Sequence, residues 1–286
     1  MLELLINPKK AERNPWMMFF DGVLYASLSI LLVNWIFAKD PVLSKYSSIL
    51  MVTFCVMFSI PFMYYTIKFE EIKDLKESGF LNLIKEHSKV LLSLLFLFLG
   101  FVVAFSFWQI ILSGGSQSFK AQVETYCMIN RPSNFNDCVA QYGVEGISKT
   151  TAFLTAKERV VSIFANNIYV LIFTLVFSLI FGAGAIFILA WNASVISAAV
   201  GIFAKSELIN LPLGLLRYMV HGIPEIGAYF IGFLAGGIVS MAVIRHDIKT
   251  EKFWTILQDS LNLVILAVII LFLASLMEVF ITPLLF

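Results

Sequence analysis

Six apolar runs constrain this chain more than any other feature. They lie near residues 17–37, 48–67, 90–112, 163–190, 223–244 and 257–282, and each reaches or approaches the ~20 residues needed to cross a hydrocarbon core. Lipid offers no partner for backbone N–H and C=O groups, so spans of this kind must bond internally, as helices do. Hydrophobic residues make up 59% of the chain, against roughly 45–50% apolar in an ordinary soluble domain. The expected fold is therefore all-α and polytopic, with the lipid bilayer as its surroundings. The start "MLELLINPKKAERNPWMMFF" is amphipathic and leads into a full span, unlike a cleaved secretory signal, so the N-terminus is expected to be retained.

Charge sits almost wholly between the spans, where it needs no desolvation. A net charge of +1 provides no basic surface for nucleic acid, which is not expected as a partner. Orientation follows from Lys and Arg in short loops. The N-terminus carries Lys9, Lys10 and Arg13, and the 68–89 segment carries Lys68, Lys73, Lys76, Lys85 and Lys89. Both are expected on the cytoplasmic side, with "AKDPVLSKY" as a short turn outside. The 68–89 segment reads as a solvated, partly helical linker.

The third run then leads outward into a loop over 113–160, in which "SKTTAFLTAKERVVSIFANN" reads as the start of a surface-lying amphipathic helix. Cys127 and Cys138 lie in this loop, in "CMINRPSNFNDC", and a disulfide between them is expected if that side is oxidising. Cys55 falls inside an apolar run and reads as a small packing residue. With six spans alone, "RHDIKTEKFW" would lie outside with Arg245, Lys249 and Lys252, against the positive-inside rule. A short or broken seventh crossing over 192–222 removes the conflict and places the C-terminus outside.

Polar residues near span ends are the candidate site. In "HGIPEIGAYFIGFLAGG", Pro224 reads as the first turn of a helix, where its missing donor is no loss, and Glu225 then meets the positive end of the helix dipole. Steps of three and four from Glu225 give Ala228, Gly232, Gly236 and Ser240, a smooth face that another helix backbone can approach. His221 and Glu225 read either as an interfacial cap and helix-start carboxylate or as a polar site between helices. Asn166, Asn167 and Asn192 stand where the fourth span is expected to begin and end, suited to bonding exposed backbone. Asp21 and Glu278 are costly if deep, and each is expected to face protein or water. No HExxH helix, clustered Cys/His set or GxSxG elbow is present, so neither an enzyme nor a metal or other cofactor is expected.

The stretch "FANNIYVLIFTLVFSLIFGAGAIFILAWNASVISAAVG" followed by "HGIPEIGAYFIGFLAGG" resembles the stage II sporulation protein M family over roughly residues 90–286. Asn166–Asn167, the Gly182/Gly184 bend, Asn192, His221-Gly222 and Glu225 carry the resemblance. It divides the chain into a family-like core, 87–286, and an extension, 1–86, with two spans, like that of archaeal members. Family members in spore-forming bacteria act as membrane scaffolds that hold cell-wall hydrolases. The resemblance thus implies a non-enzymatic scaffold in the cell membrane, with protein partners or further copies of itself. A small permease or channel, with a polar intramembrane site at the broken region, is the alternative reading.

Overall fold

The computed structural model describes residues 11, 13–37, 39–74, 80–112, 118–130, 135–141, 155–181, 186–204, 207–244 and 250–285. Among them no strand occurs, and seven helices are long and apolar enough to cross a membrane. In chain order the helices are α1 (Met17–Phe37), α2 (Ser47–Asp74), α3 (Phe80–Ile111), α4 (Lys120–Asn130), α5 (Phe135–Gln141), α6 (Ala156–Phe181), α7 (Ile186–Phe203), α8 (Leu211–Ile244) and α9 (Glu251–Leu276). A π turn, Met277–Ile281, and a last helical turn, α10 (Thr282–Leu285), follow α9 directly. All but α4, α5 and α10 are the candidate spans.

The 192–222 stretch is interrupted, as the broken-segment reading expects: α7 ends at Phe203, and α8 begins at Leu211 after a tight turn at Leu208–Asn210. A second division falls inside the expected fourth run. What reads as one long fourth run is two helices, α6 and α7, on either side of 182–185, so Gly182 and Gly184 lie outside the described residues. Residues 192–203 continue α7 without interruption. Its alanine, serine and glycine residues let it lie close against its neighbours.

The start of α8 is also earlier than Pro224 suggests. The helix begins at Leu211 and carries Pro224 in its interior. Pro212 occupies the first-turn position that proline favours. Pro224 removes only the backbone bond that the carbonyl four residues earlier would have received, and the surrounding bundle carries the helix through it. Similarly, residues 156–166 are no separate surface helix but the first turns of α6. A capping box starts them: Thr155 N–H donates to Glu158 Oε2 at 2.7 Å, and Glu158 N–H donates to Thr155 Oγ1 at 3.3 Å.

Helix α8 is the centre of the bundle, touching α2, α3, α6, α7 and α9. Every residue from Ala228 to Ser240 is buried, as befits a helix that is apolar all round. Around it, α1 lies along α3, and the crossing is closest where Gly22 faces Gly100. A Cβ on Gly100 would run into the Phe19 carbonyl oxygen and come 2.9 Å from Gly22 Cα. One continuous apolar core includes Met18 of α1, Met51 of α2, Phe98 of α3 and Phe230 of α8, so the first two helices share the core of the others.

Beyond the end of α3 the chain folds back into the bundle. Phe119 is fully buried against Phe105, with ring centroids 6.2 Å apart, and α4 then runs along α7. Cys127 and Cys138 form a disulfide with Cα atoms 5.8 Å apart, joining α4 to α5, and both pack with Val123, Val139 and Ala198. At the α1–α2 turn the Asp40 carboxylate accepts the N–H groups of Leu43 and Val42, each at 2.8 Å. These bonds hold its carboxyl below the usual range.

Gly100→Ala is expected to lower the thermal midpoint in detergent, because its methyl meets backbone that cannot rotate away; overpacking of this kind costs about 1–3 kcal/mol. A Cβ at Gly227, by contrast, meets nothing within 4 Å. Gly227→Ala should leave the midpoint unchanged or raise it slightly, since alanine is favoured in a helix by roughly 0.5–1 kcal/mol.

Candidate functional site

The polar side chains of α8 meet those of α6 and the chain's last turns at one place. Asn167 lies in the fourth turn of α6, and helical spacing puts Glu225 and Tyr229 on the same side of α8. Asn167 Nδ2 donates to Glu225 Oε1 at 2.7 Å. Tyr229 Oη donates to Asn167 Oδ1 at 3.0 Å. One amide thus uses both its donor and its acceptor to tie two positions of α8 to α6. Asn167 and Tyr229 are buried, whereas Glu225 is half-buried.

One turn earlier on α8, His221 Nδ1 lies 3.1 Å from Thr282 Oγ1, and the Thr282 hydroxyl donates to Met277 O at 3.3 Å. With the hydroxyl hydrogen so placed, the imidazole is the donor of the shorter contact. The π turn widens the helix at Met277–Ile281 and carries Glu278, which lies near enough to interact electrostatically with Glu225. Arg159 of α6 interacts with Glu278 in the same way. Single π turns inside helices recur at functional sites.

Two glycines of α8, Gly232 and Gly236, face the same neighbour helix, α6. Gly232 sits against Leu171, and a Cβ at Gly236 would come 2.8 Å from both Leu175 O and Ser178 Cβ. Ser178 Oγ donates to Phe233 O at 2.6 Å within this contact. Ala228 and Ser240 are buried on the same helix.

The residues singled out from sequence separate into three groups. His221, Glu225 and Asn167 come together, but they do so in helix interiors, not at helix starts. Asn166, beside Asn167, is exposed and, among the described residues, reaches only Asn167 Oδ1, at 3.5 Å. Asn192 is in the interior of α7 and bonds its own helix, donating to Ile188 O at 2.7 Å. It ends no helix and, among the described residues, makes no bond to the Asn167 cluster. Among the described residues no group of three or more His, Cys, Asp or Glu side chains is arranged to hold a metal.

Sequence reasoning missed Tyr229 and Thr282. Tyr229 was legible as the i+4 neighbour of Glu225, while no local signal links Thr282 to a histidine 61 residues away. It also missed a second polar contact. The 68–89 segment is not solely a solvated linker: α2 runs on to Asp74 and α3 begins at Phe80, and fully buried Glu70 and His87 pair across the hairpin at 2.6 Å.

Asn167→Leu should destabilise the protein more than Tyr229→Phe. The first removes both cross-helix bonds and strands two partner groups, each costing about 1–3 kcal/mol when left unsatisfied; the second removes one bond worth about 1 kcal/mol. Thermal unfolding in detergent would separate them, and equal midpoints would refute this account of the contact.

Comparison with known proteins assigns the family. A sequence profile described as "Stage II sporulation protein M" matches residues 52–283, a stretch that starts inside α2 and includes every residue of the α6–α8 cluster. The chain is also similar to an uncharacterized protein of Methanocaldococcus jannaschii, an archaeon, with 32% identity over 127 residues, covering 43% of this chain and 70% of that relative. No solved structure matches it. The chain belongs to the stage II sporulation protein M family of membrane proteins.

Proposed function

We propose that this protein is a non-enzymatic, multi-pass scaffold of the cell membrane that assembles partners or further copies of itself. One observation carries the reading: the polar side chains best placed to hold a solute are engaged with one another across helices. Asn167 bonds both Glu225 and Tyr229, and His221 contacts Thr282. Such contacts fix helix positions, as polar and small residues do in membrane bundles. The small face of α8 against α6 supports the same role. The N-terminus faces the cytoplasm in this reading, and the Cys127–Cys138 disulfide supports putting the α4–α5 hairpin on the oxidising side.

The experiment is crosslinking in native membranes through single cysteines introduced on exposed helix faces. A discrete, saturable crosslinked species that survives gentle purification is expected. Monomer alone, at every position tried, would rule out self-assembly; if purification also recovered no reproducible partner, the scaffold reading would go with it.

A permease or channel is the second reading, favoured by the half-buried Glu225 lying within electrostatic range of Glu278 on a π turn. Proteoliposomes decide between the two. The scaffold predicts no solute or ion flux and no effect of Glu225→Gln, whereas flux abolished by that substitution would establish a transport site.

A further inference from the structure

A second polar region lies between α3, α4 and α7, apart from the Asn167 cluster. Ser106 Oγ and Gln109 Oε1 of α3 and Gln122 Oε1 of α4 are buried with no hydrogen-bond partner among the described residues. Ser106 and Gln122 are fully buried. Orphaned oxygens of this kind call for a donor, because buried polar groups are almost always bonded.

Contacts between the helices place the three oxygens along one seam. Ser197 Oγ of α7 lies 3.0 Å from Val102 O of α3 and 2.7 Å from Ala193 O of its own helix, so its one hydrogen is shared between the two carbonyls. One turn along α3 is Ser106, and beyond it the Gln109 side chain lies against Gly201 of α7, 2.7 Å from where a Cβ would stand. From α4, Gln122 Nε2 donates to Ser194 Oγ at 3.2 Å and to Ser48 O of α2 at 3.1 Å. Phe119 of α4 meets Phe105, the residue beside Ser106. The seam therefore runs from Ser194 and Gln122, past Ser197 and Ser106, to Gly201 and Gln109.

Two of the orphans follow from the bonding around them. A serine within a helix ordinarily donates to the carbonyl four residues back, but for Ser106 that is Val102 O, against which Ser197 Oγ already lies. The Gln122 amide cannot be turned over to satisfy its oxygen, because Ser48 O is an acceptor and requires the NH2 group. Ser194 Oγ already donates to Trp191 O at 2.7 Å, so it too can only accept from Gln122.

We propose that this seam is a binding site for ordered water, which donates to Gln122 Oε1 and Gln109 Oε1 and accepts from Ser106 Oγ. Water supplies two donors, accepts from the serine hydroxyl, and needs only two to four polar partners to be held. None of the three orphaned groups is a carboxylate. A buried cation there would lack a counter-charge, and desolvating an unpaired ion is far costlier than desolvating water. The site is independent of whether the protein is a scaffold or a permease.

Ser106→Ala, followed by thermal unfolding of the full chain in detergent, is the test. Loss of a water partner should lower the midpoint by a few degrees, although alanine is the better helix former and would by itself raise it. An unchanged or raised midpoint means that a dry, uncompensated hydroxyl was removed, and overturns the proposal. A high-resolution experimental structure provides the second readout. Water within hydrogen-bond distance of Gln122 Oε1 and Ser106 Oγ is expected; a protein group in that place, or no density, overturns it. Replacing Na⁺ by choline should leave the unfolding midpoint of the unsubstituted protein unchanged, whereas a fall would identify the guest as a cation.

Discussion

Enclosure of α8 is the constraint on which the rest of the structure depends. In lipid the hydrophobic effect does not drive one apolar helix against another, because the acyl chains are as apolar as leucine. Close van der Waals contact and cross-helix hydrogen bonds must do it instead. From Ala228 to Ser240 no residue of α8 is exposed, so it needs neighbours that fit it on every side. Glycine at 232 and 236 meets that need toward α6, where Ser178 adds a bond to the Phe233 carbonyl.

The same logic orders the polar residues. Asn167, Glu225 and Tyr229 form a short relay between two spans, and His221 and Thr282 tie the end of the chain back to α8. Each pair exchanges a bond to water or lipid headgroup for one to protein. That exchange fixes the rotation and depth of each helix, which apolar contact alone leaves loose. Glu70 with His87 does the equivalent for the α2–α3 hairpin. Membership of the stage II sporulation protein M family covers residues 52–283, and α1, outside that match, is nonetheless bound tightly through Gly22 and Gly100.

Errors in reading the sequence have a common physical source. Pro224 and Glu225 look like a helix start because both are favoured there, yet α8 has already run from Leu211, with Pro212 in the preferred place. Local preferences of about 1 kcal/mol for a carboxylate at a helix start yield to the packing of a 34-residue helix. Asn192 looks like a terminator for a similar reason, but its amide bonds back to Ile188 O and leaves α7 intact. The 192–222 stretch is correctly legible as interrupted, from the charge it has to place, but the first part of it continues α7, whose small residues let it lie against α3 and α4.

Composition and the spacing of apolar runs determined a helical, multi-pass protein, since a backbone in lipid has few other ways to satisfy its polar groups. They also supplied His221, Glu225 and Asn167 as the polar residues of interest, because ionisable and amide groups in apolar runs are conspicuous. Tertiary structure alone decided which of these meet. The Asn167–Glu225 bond joins residues 58 apart and His221–Thr282 joins residues 61 apart, and such pairings depend on the order and rotation of packed helices. One-dimensional periodicity records which face of a helix is small or polar, not which other helix that face will touch.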